Sequence, residues 1–455
     1  MKKTMAAVTL LTASALALSA CASGPTTSTS ASASAAASAE PQNITLWLAG
    51  GDTPDALRDY LKTTYQAKTG GTLTIEEQAW GDLVTKLTTA LPDANNTPDV
   101  VEVGNTQSPT FTNVGAFSDV SDVYGELGGD KLLQSFVEVG KVDGKNYTLP
   151  YYFGSRYMFY RKDIYKDAGV AVPKTLTEFN TAVKTIAGKN PKGVKDFSGF
   201  FIGGQDWRNG ISWIFANGGD LAKQQNGQWT STLADPNSVK GLTQLQDIFT
   251  NASKAPKTAK DESAWLYINS SDVIKDDASD PTKVTGKTSL AAATIMAPGW
   301  AHWSIGDLVK KDGKETRQWN DDTFGVFALP GDDGKPAPVF AGGSNIGISA
   351  KSKNQAGSRE LMKIIFSAEY QQMLGKNGLG PANSDYMSTL GDDLFAKALI
   401  ESASNSKLTP AAPGWATVEA SGKLEEFFAK VAAGGDVAAL AAEYDALLTP
   451  MLNGK

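Results

Sequence analysis

The chain has 455 residues, of which 41% are hydrophobic and 20% are charged, and its formal net charge is −7. This composition is typical of a soluble globular protein, and the length is sufficient for two lobes that each bury a core. The negative charge balance, without any run of Lys and Arg, excludes the basic field that nucleic-acid binding requires. A single histidine, His302, and a single cysteine, Cys21, exclude a zinc cluster, so we expect no metal and no cofactor.

The N-terminus has the order of an export signal: Lys2 and Lys3 precede an apolar stretch at 6–17 that is short for a membrane-spanning helix. The segment ending at Cys21 reads LSAC and resembles the lipobox of bacterial lipoproteins, which implies cleavage and lipidation of that cysteine. We therefore expect a signal peptide at 1–21 and a lipid anchor on the extracellular face of a Gram-positive membrane. A plain secretory signal that contains a cysteine is the alternative. Residues 22–42, rich in Ala, Ser and Thr, are predicted to be a flexible tether.

The folded part is predicted to begin with alternating strands and helices. A β-prone run at 44–48 stops at Gly50 and Gly51, and a helix with apolar residues at helical spacing follows Pro54, with Asp52 or Thr53 as its expected cap. A second strand at 72–75, a helix through Leu83, Leu87 and Leu91, and a third strand at 99–103 come next. This alternation predicts an α/β fold with a parallel sheet.

Ligands of such sheets bind at the carboxyl ends of the strands. That rule makes candidates of the residues directly after the three predicted strands, and for Trp80 and Asn105 a core position is equally open. These candidates are Asp52, Trp80, Asn105 and Thr106.

Four motifs, found in the expected order, resemble family 1 extracellular solute-binding proteins, the maltose-binding-protein-like sugar receptors of bacterial ABC importers. The stretch 147–163 reads YTLPYYFGSRYMFYRKD and resembles the family's first crossing between lobes. The segments 294–300 (TIMAPGW), 324–330 (FGVFALP) and 341–348 (AGGSNIGI) resemble three later motifs of the family. The resemblance extends from about residue 43 to the C-terminal helices.

The resemblance implies a class II periplasmic-binding fold in which two discontinuous α/β lobes close around a ligand by hinge motion. The expected N-lobe comprises 43–152 plus 328–395, and the expected C-lobe comprises 153–327 plus 396–455. The implied function is capture of an oligosaccharide by a monomeric, non-enzymatic receptor that delivers it to ABC permease subunits.

Sugar binding requires aromatic planes for the C–H face of a pyranose and planar polar groups for its hydroxyls. The segment 205–213 (QDWRNGISW) supplies this mixture, and in relatives the corresponding region helps to line the cleft. We favour Asp206, Trp207 and Arg208 as site residues, with a core position as the alternative, and we assign Trp213 to the core.

Further candidates lie within or near the other motifs. Trp300 occupies a motif in which relatives place a stacking aromatic in the cleft. Of Tyr151 and Tyr152, one is expected to face the ligand and the other to pack, and periodicity does not decide between them. The remaining candidates are the small segment Gly343, Ser344 and Asn345, and the possible stacking platforms or surface anchors Trp265 and Trp415.

Two other function classes remain open. A receptor of the same fold for a peptide or polyamine is one, although a polyamine site would need several carboxylates. A secreted glycoside hydrolase is the other, because it needs only two carboxylates about 5 to 10 Å apart. The sequence lacks a G-x-S-x-G elbow, a phosphate-binding loop and a dinucleotide fingerprint, and His302 is interpreted as a surface or packing residue. We therefore expect a binding protein, not an enzyme.

Overall fold

The computed structural model describes residues 41–260, 264–269, 291–311 and 313–454. The expected signal peptide, the lipidation site Cys21 and nearly all of the expected tether lie outside the described residues. The described strands are β1 (Ile44–Ala49), β2 (Leu73–Gln78), β3 (Val100–Gly104), β4 (Lys141–Val142), β5 (Lys145–Asn146), β6 (Thr148–Arg161), β7 (Ala222–Gln225), β8 (Gln228–Ser231), β9 (Thr294–Pro298), β10 (Asp307–Lys311), β11 (Lys314–Gln318), β12 (Phe324–Phe327), β13 (Ala341–Ile348) and β14 (Gly380–Pro381).

Helices separate these strands. The described α-helices are α1 (Asp55–Thr69), α2 (Leu83–Ala90), α3 (Ser108–Asn113), α4 (Gln134–Glu138), α5 (Lys162–Ala168), α6 (Leu176–Lys189), α7 (Trp207–Ala216), α8 (Pro236–Asn251), α9 (Gln355–Ile365), α10 (Ala368–Lys376), α11 (Leu394–Ser404), α12 (Trp415–Ala420), α13 (Lys423–Ala432) and α14 (Val437–Leu452). Short 3₁₀ helices lie at Gly129–Lys131, Ala264–Leu266, Gly299–Ser304 and Ser384–Leu390.

The first five elements form the parallel unit that the sequence predicts. Strand β1 pairs in parallel with both β2 and β3. Helix α1 buries Leu57, Leu61 and Tyr65, which recur on one helical face, and it ends at Gly70 in the left-handed conformation. Apolar spacing and glycine position were therefore sufficient to predict these elements.

The start of α1 differs from the prediction. Pro54 occupies the N-cap position, and no side chain caps the helix. Thr53 instead hydrogen-bonds through its hydroxyl to the Tyr151 hydroxyl at 3.0 Å. The guanidinium of Arg58 donates to the carbonyl oxygens of Thr53 and Gly50, which ties the loop after β1 to the helix. The polar side chains of this loop thus serve tertiary contacts in place of capping.

Strand β6 joins the two halves of the large sheet, whose order is β12-β6-β13-β3-β1-β2. Its first part, up to Ser155, pairs antiparallel with β13. From Arg156 onwards it pairs antiparallel with β9, and from Met158 with β12 as well. The change of partners falls between Ser155 and Arg156, close to the boundary after residue 152 that we expected between the lobes.

The buried apolar residues form separate cores on the two sides of β6. One core gathers side chains from β1, α1, α9 and α10, including Leu46, Leu61 and Ile364. The other gathers α6, α7, α8 and the C-terminal helices, including Trp213 and Phe428. A third cluster packs β6 against β9, β12 and α11. Separate cores are what a two-lobed fold requires.

Helix α14 closes the chain. The sequence predicts an amphipathic helix here, with Asp436 as its cap and with a packed face of Val437, Leu440, Tyr444, Leu447, Leu448 and Met451. The Asp436 carboxylate accepts a hydrogen bond from the Ala439 N–H at 2.9 Å and so caps the helix. Tyr444 and Leu448 are buried, whereas Leu447, which we expected on the packed face, is exposed. No helix within the described ranges has both the length and the apolar character needed to cross a membrane.

Candidate ligand-binding cleft

A cavity of about 1030 Å³ lies beside β6 where that strand changes partners. Its wall brings together segments that are distant in sequence: the loops after β1 and β2, the middle of β6, the start of β13, the 3₁₀ helix at 299–304, and the segment between α10 and α11. Six of the predicted site residues line it: Asp52, Trp80, Tyr152, Trp300, Gly343 and Ser344. A second cavity, of about 620 Å³, contains none of the predicted residues.

The first wall of the cavity is organised by the Asp52 carboxylate. Its Oδ2 atom accepts hydrogen bonds from Trp80 Nε1 and from the Tyr152 hydroxyl, each at 3.0 Å. These bonds hold an indole that is 37% exposed at a fixed place on the cavity wall. Asp52 therefore positions an aromatic surface and also offers a carboxylate oxygen to a ligand hydroxyl.

Gly50 is needed for this arrangement. Its φ is +57°, and a Cβ atom there would lie 2.8 Å from Trp80 Nε1. The neighbouring Gly51 has nothing within 4 Å of the position of its Cβ. The double glycine after β1 thus contains one residue that the site requires and one that it does not.

A β-bulge between β6 and β13 separates the roles of the two adjacent tyrosines. Ser344 pairs with Tyr152 whereas Asn345 pairs with Pro150, so Tyr151 has no partner in the register. Gly343, with φ of +142°, lets β13 approach the Tyr152 carbonyl oxygen closely. Tyr152 lines the cavity, and its hydroxyl reaches Asp52. A bulge re-aims side chains in this way at many functional sites.

Tyr151 points into the core that gathers side chains from β1, α1, α9 and α10. Its hydroxyl bonds to those of Thr53, at 3.0 Å, and Tyr370, at 2.6 Å. The Tyr151 and Tyr370 rings stack with their centroids 6.3 Å apart. Burial raises the pKa of Tyr151 well above its ordinary value. Of the two tyrosines, Tyr151 is the one that packs.

The facing wall presents the 3₁₀ helix at 299–304. Trp300 is 56% exposed and Trp303 is 78% exposed, and both line the cavity. Trp265 does not line the cavity but packs edge-on against Trp300, with centroids 4.8 Å apart. Trp265 thus holds the Trp300 indole in place, while Trp300 and Trp303 both leave ring surface exposed to a ligand.

His302 lies between these tryptophans and also lines the cavity. Its ring stacks on Phe395 at 4.4 Å, and Nδ1 donates to the Gly299 carbonyl oxygen at 2.6 Å. Burial lowers the pKa of His302, against opposing effects of the Gly299 hydrogen bond and Asp393. The neutral imidazole therefore keeps Nε2 as a hydrogen-bond acceptor.

Polar groups from the segment between α10 and α11 complete the wall. Lys376 and Asn377, at the end of α10, are exposed and line the cavity. Asp393 lies on the same wall and caps α11 by accepting the Ala396 N–H at 2.8 Å. Cationic, amide and carboxylate groups thus alternate with the aromatic surfaces, as in a site for a ligand rich in hydroxyl and amide groups.

Beneath the first wall, Glu102 is completely buried in the central strand β3. Its Oε2 atom accepts the Ala49 N–H at 2.9 Å. Burial raises the pKa of Glu102 to about 7, with the charge of Asp52 adding to the rise and Ser344, the Ala49 amide and Tyr152 opposing it. A carboxyl group with this pKa carries a proton for part of the time at neutral pH.

A sequence profile of the bacterial extracellular solute-binding protein family matches residues 50–372, most of the chain. The chain belongs to this family. The solute-binding protein is 33% identical to the diacetylchitobiose binding protein DasA of Streptomyces coelicolor over 384 residues, which cover 83% of this chain and 82% of DasA.

Solved structures show the fold of this solute-binding protein. The sugar-binding protein MalE of Xanthomonas citri superposes with a TM-score of 0.72 over 90% of this chain and 97% of its own, at 18% identity. The GacH receptor of Streptomyces glaucescens superposes with a TM-score of 0.66 over 90% of this chain and 98% of its own, at 20% identity. The predicted two-lobed periplasmic-binding fold is therefore confirmed.

Four predicted site residues of the solute-binding protein lie outside the cavity, where α7 packs against α12. Trp207 is only 1% exposed and packs against Trp415, which is equally buried, with centroids 6.1 Å apart. Asp206 caps α7 by accepting the Asn209 N–H. Arg208 lies over the Trp207 ring and pairs with Glu419 at 2.6 Å. These residues join α7 to α12. The core alternative therefore describes Asp206 and Trp207 in this structure, whereas Arg208 forms a partly exposed ion pair, and Trp415, expected to be a stacking platform or a surface anchor, is buried.

Three further candidates do not line the cavity, and two of them make buried hydrogen bonds to backbone carbonyl oxygens. Asn105 donates to the Ala341 carbonyl oxygen at 2.9 Å and ties the end of β3 to β13. Asn345 donates to the Phe136 carbonyl oxygen at 2.8 Å, inside the core. Thr106 is half-buried next to Asn105. The strand-end rule located the correct edge of the sheet but did not distinguish cavity residues from strand ties.

Several cavity residues were not predicted. His302 was assigned to the surface or to packing, although its neighbour Trp303 extends the aromatic motif at Trp300. The segment of Lys376 and Asn377 carries the Asn-Gly signal of a turn directly after a helix, which could have marked it as a loop near a site. Glu102 was not predicted either. It does not line the cavity, but it is a single charge in an apolar strand, a pattern that indicates a special role.

Proposed function

We propose that this solute-binding protein is the receptor of an ABC importer and that it captures an oligosaccharide in the cleft, without catalysis. The observation that carries the proposal is the pairing of exposed indole surfaces, Trp80 on one wall and Trp300 and Trp303 on the other, with carboxylate, amide and ammonium groups between them. Stacking and hydrogen bonding together are what a pyranose requires.

The first ligand to test is N,N′-diacetylchitobiose, because the relative at 33% identity is a diacetylchitobiose binding protein. An acetamido group adds a planar amide to each sugar ring, and Asn377 and His302 offer complementary hydrogen-bonding atoms on the cavity wall. Micromolar capture requires about −8 kcal/mol, which a few stacked rings and hydrogen bonds can supply.

We further propose that the lobes are 43–152 plus 328–395 and 153–327 plus 396–455, and that a bound ligand favours their closed arrangement. The change of strand partners within β6 supports a division near its middle. A ligand that contacts both walls gains more contacts when the walls approach each other, so it shifts the population towards closure. We expect the permease to recognise that closed, monomeric form.

Titration calorimetry of the purified protein tests the proposal. We expect binding of N,N′-diacetylchitobiose or a longer chitooligosaccharide, and no binding of spermidine. Incubation with the sugar, followed by chromatography, should show no released monosaccharide. Binding of spermidine alone would favour the polyamine receptor, and sugar cleavage that is lost in Asp52→Asn or Asp393→Asn would favour the glycoside hydrolase.

The lipid anchor at Cys21 is a separate part of the proposal and rests on the LSAC segment. Two or more acyl chains are sufficient for stable membrane attachment. Expression of the whole chain in a Gram-positive host should place it in the membrane fraction, and Cys21→Ser should release it to the medium or leave it unprocessed. Equal membrane recovery of both forms would contradict lipidation at this cysteine.

A further inference from the structure

Glu102 lies directly beneath the cavity wall and is not fully satisfied there. Its Oε2 atom accepts the Ala49 N–H, but Oε1 has no hydrogen-bond partner among the described residues. A buried carboxyl oxygen without a partner is costly, so it is uncommon in a settled core. Glu102 does not line the cavity, so direct contact with a ligand does not explain its presence there.

The register of the sheet places the Ser344 side chain next to Glu102. Ser344 pairs with Gly104 across β3 and β13, and Glu102 lies two residues before Gly104, so both side chains stand on the same face of the sheet. Gly104 has no side chain of its own to separate them, and the side chains of Gln107 and Trp80 come within about 3.3 Å of the position that its Cβ atom would occupy. Ser344 also lines the cavity, and its own hydroxyl has no partner within the described part of the chain.

The titratable groups that interact with Glu102 lie in the loop after β1, in β6 and in α10. Asp52, in the loop after β1, is the acidic neighbour, and its charge opposes ionisation of Glu102. Strand β6 contributes Tyr151 and Tyr152, and α10 contributes Tyr370. These phenols stay neutral at physiological pH, because burial raises the pKa of each of them. Glu102 is therefore the group in this cluster whose protonation changes near neutrality.

We propose that Glu102 is a positioning residue for the cleft: its proton sets the hydrogen-bonding role of the Ser344 hydroxyl, and ligand binding takes up a proton from solvent at this carboxyl group. The proposal rests on the proposed function, since it assigns a ligand to the cavity that Ser344 lines.

The two protonation states present different groups to the cavity. When Glu102 is ionised, it accepts the Ser344 proton, and the Ser344 oxygen faces the cavity as an acceptor only. When Glu102 is protonated, it donates to Ser344, whose own proton is then free for a ligand oxygen. A ligand that covers the wall also excludes water from a site that already holds Asp52, which penalises a second negative charge.

The sign of the effect follows from linkage. Because the bound state favours protonated Glu102, ligand affinity is highest at low pH and falls as the pH rises through neutrality. The decrease is at most about tenfold per pH unit for uptake of one proton, and about three- to tenfold in total is expected between about pH 6 and about pH 8.

Calorimetry with N,N′-diacetylchitobiose across this pH range, in buffers with different heats of ionisation, measures both affinity and proton uptake. The native protein should take up a fraction of a proton near neutrality, and Glu102→Gln should bind with a flatter pH profile and little uptake. Glu369→Gln, the same change at an exposed position on α10, should keep the native profile. Equal pH profiles for the native protein and Glu102→Gln would overturn the proposal.

A second experiment uses no ligand and does not depend on the folding of Glu102→Gln. NMR of isotopically labelled glutamate carboxyl groups should show one that titrates near neutrality, and Ser344→Ala should raise its midpoint, because Ser344 lowers the pKa of Glu102. If the titration midpoint is the same in Ser344→Ala as in the native protein, the coupling between Ser344 and Glu102 is refuted. If the midpoint moves but no saccharide binds at any pH, the coupling of Glu102 to the cavity wall is supported and the sugar assignment fails.

Discussion

Individual tryptophans of this protein serve different purposes, and their exposure distinguishes them. Trp300 lines the cavity with more than half of its surface exposed, and Trp265 packs edge-on against it. Trp207 and Trp415 are buried in the apolar cluster of α7, α8 and the C-terminal helices, and the Arg208 guanidinium lies over the Trp207 ring. A ring that a neighbouring ring holds in place and that still exposes more than half of its surface is ready to stack on a ligand without reorganisation, so its removal affects binding more than folding.

We predict that Trp300→Ala weakens binding of the cognate sugar by at least about 1 kcal/mol, because a stacking surface is lost, and leaves the fold intact. Calorimetry gives the affinity and circular dichroism checks the fold. Trp229→Ala, which removes a tryptophan from the smaller cavity, serves as the control and should bind normally. Unchanged affinity in Trp300→Ala would assign this ring to packing alone.

The raised pKa of Glu102 also leads us to predict that the free energy of unfolding of the ligand-free protein depends on pH. Its pKa rises from 4.5 to about 7 on folding, so the native state binds more protons than the unfolded state between these values. The free energy of unfolding should therefore decrease as the pH rises towards 7, by at most about 1.4 kcal/mol per pH unit, and this contribution is lost above 7.

Urea unfolding from about pH 5 to about pH 8 measures this slope. Glu102→Gln should be less sensitive to pH than the native protein, and Glu369→Gln should follow the native protein. A slope that Glu102→Gln leaves unchanged would mean that other groups carry the pH dependence.

The sequence identifies residue types suited to a site but not their burial. Six of the candidates, Asp52, Trp80, Tyr152, Trp300, Gly343 and Ser344, line the cavity. The segment of Asp206, Trp207 and Arg208 has the same mixture of aromatic and polar groups, yet α12 covers it with Trp415 and Glu419. That cover comes from a helix about 200 residues further along the chain, which local patterns do not reveal.

At the scale of elements, the turn after β1 is the part of the scaffold on which the first wall depends. Gly50 takes a left-handed conformation directly against the Trp80 ring. The turn sets the direction of the chain from β1 into α1, and Arg58 fixes it from the helix side. A change in this turn is therefore transmitted to the stacking surface.

We predict that Gly50→Ala destabilises the protein by about 1 to 2 kcal/mol, because of the left-handed backbone, and displaces Trp80 so that sugar binding weakens. Gly51→Ala is the matched control: its Cβ position is empty, and its effect on stability should be within about 0.5 kcal/mol. Urea unfolding and calorimetry of both variants test the pair. Equal behaviour of the two variants would contradict the assigned role of Gly50.

Strand and helix order was predictable because it depends on local spacing. The run of β1, α1, β2, α2 and β3 follows from apolar periodicity and from glycines at helix ends. The bulge opposite Tyr151 was not predictable, because a register shift depends on the partner strand, and β13 lies nearly 200 residues away. For the same reason the sequence did not decide which of the two tyrosines faces the cavity.

At the scale of the whole molecule, the cavity is bounded by both halves that β6 connects. We predict that saturating sugar compacts the protein, seen as a smaller radius of gyration in X-ray scattering. At a ligand concentration one hundred times Kd, the free energy of unfolding should rise by about 2.7 kcal/mol. A sugar that calorimetry shows to be inert should change neither quantity. Tight binding without compaction would argue against closure of the lobes.

The ordered motifs were sufficient to predict this fold, because each of them corresponds to a strand that contacts β6 or forms part of it. Segments 294–300 and 324–330 contain β9 and β12, and segment 341–348 is β13. All three strands pair with β6. The sequence located the boundary between the lobes less accurately than it located the strands. Residue 152 was the expected boundary, whereas the hydrogen-bonding partners change three residues later.

Strand β6 also has a consequence for how the protein unfolds. One continuous strand pairs with strands of both halves of the large sheet, so unfolding of either half removes hydrogen bonds from a strand that the other half also uses. Neither half can therefore unfold and leave the strand pairing of the other half intact. Despite its separate cores, the protein should resist proteases and denaturants as one cooperative body, with a single transition and no half-folded species.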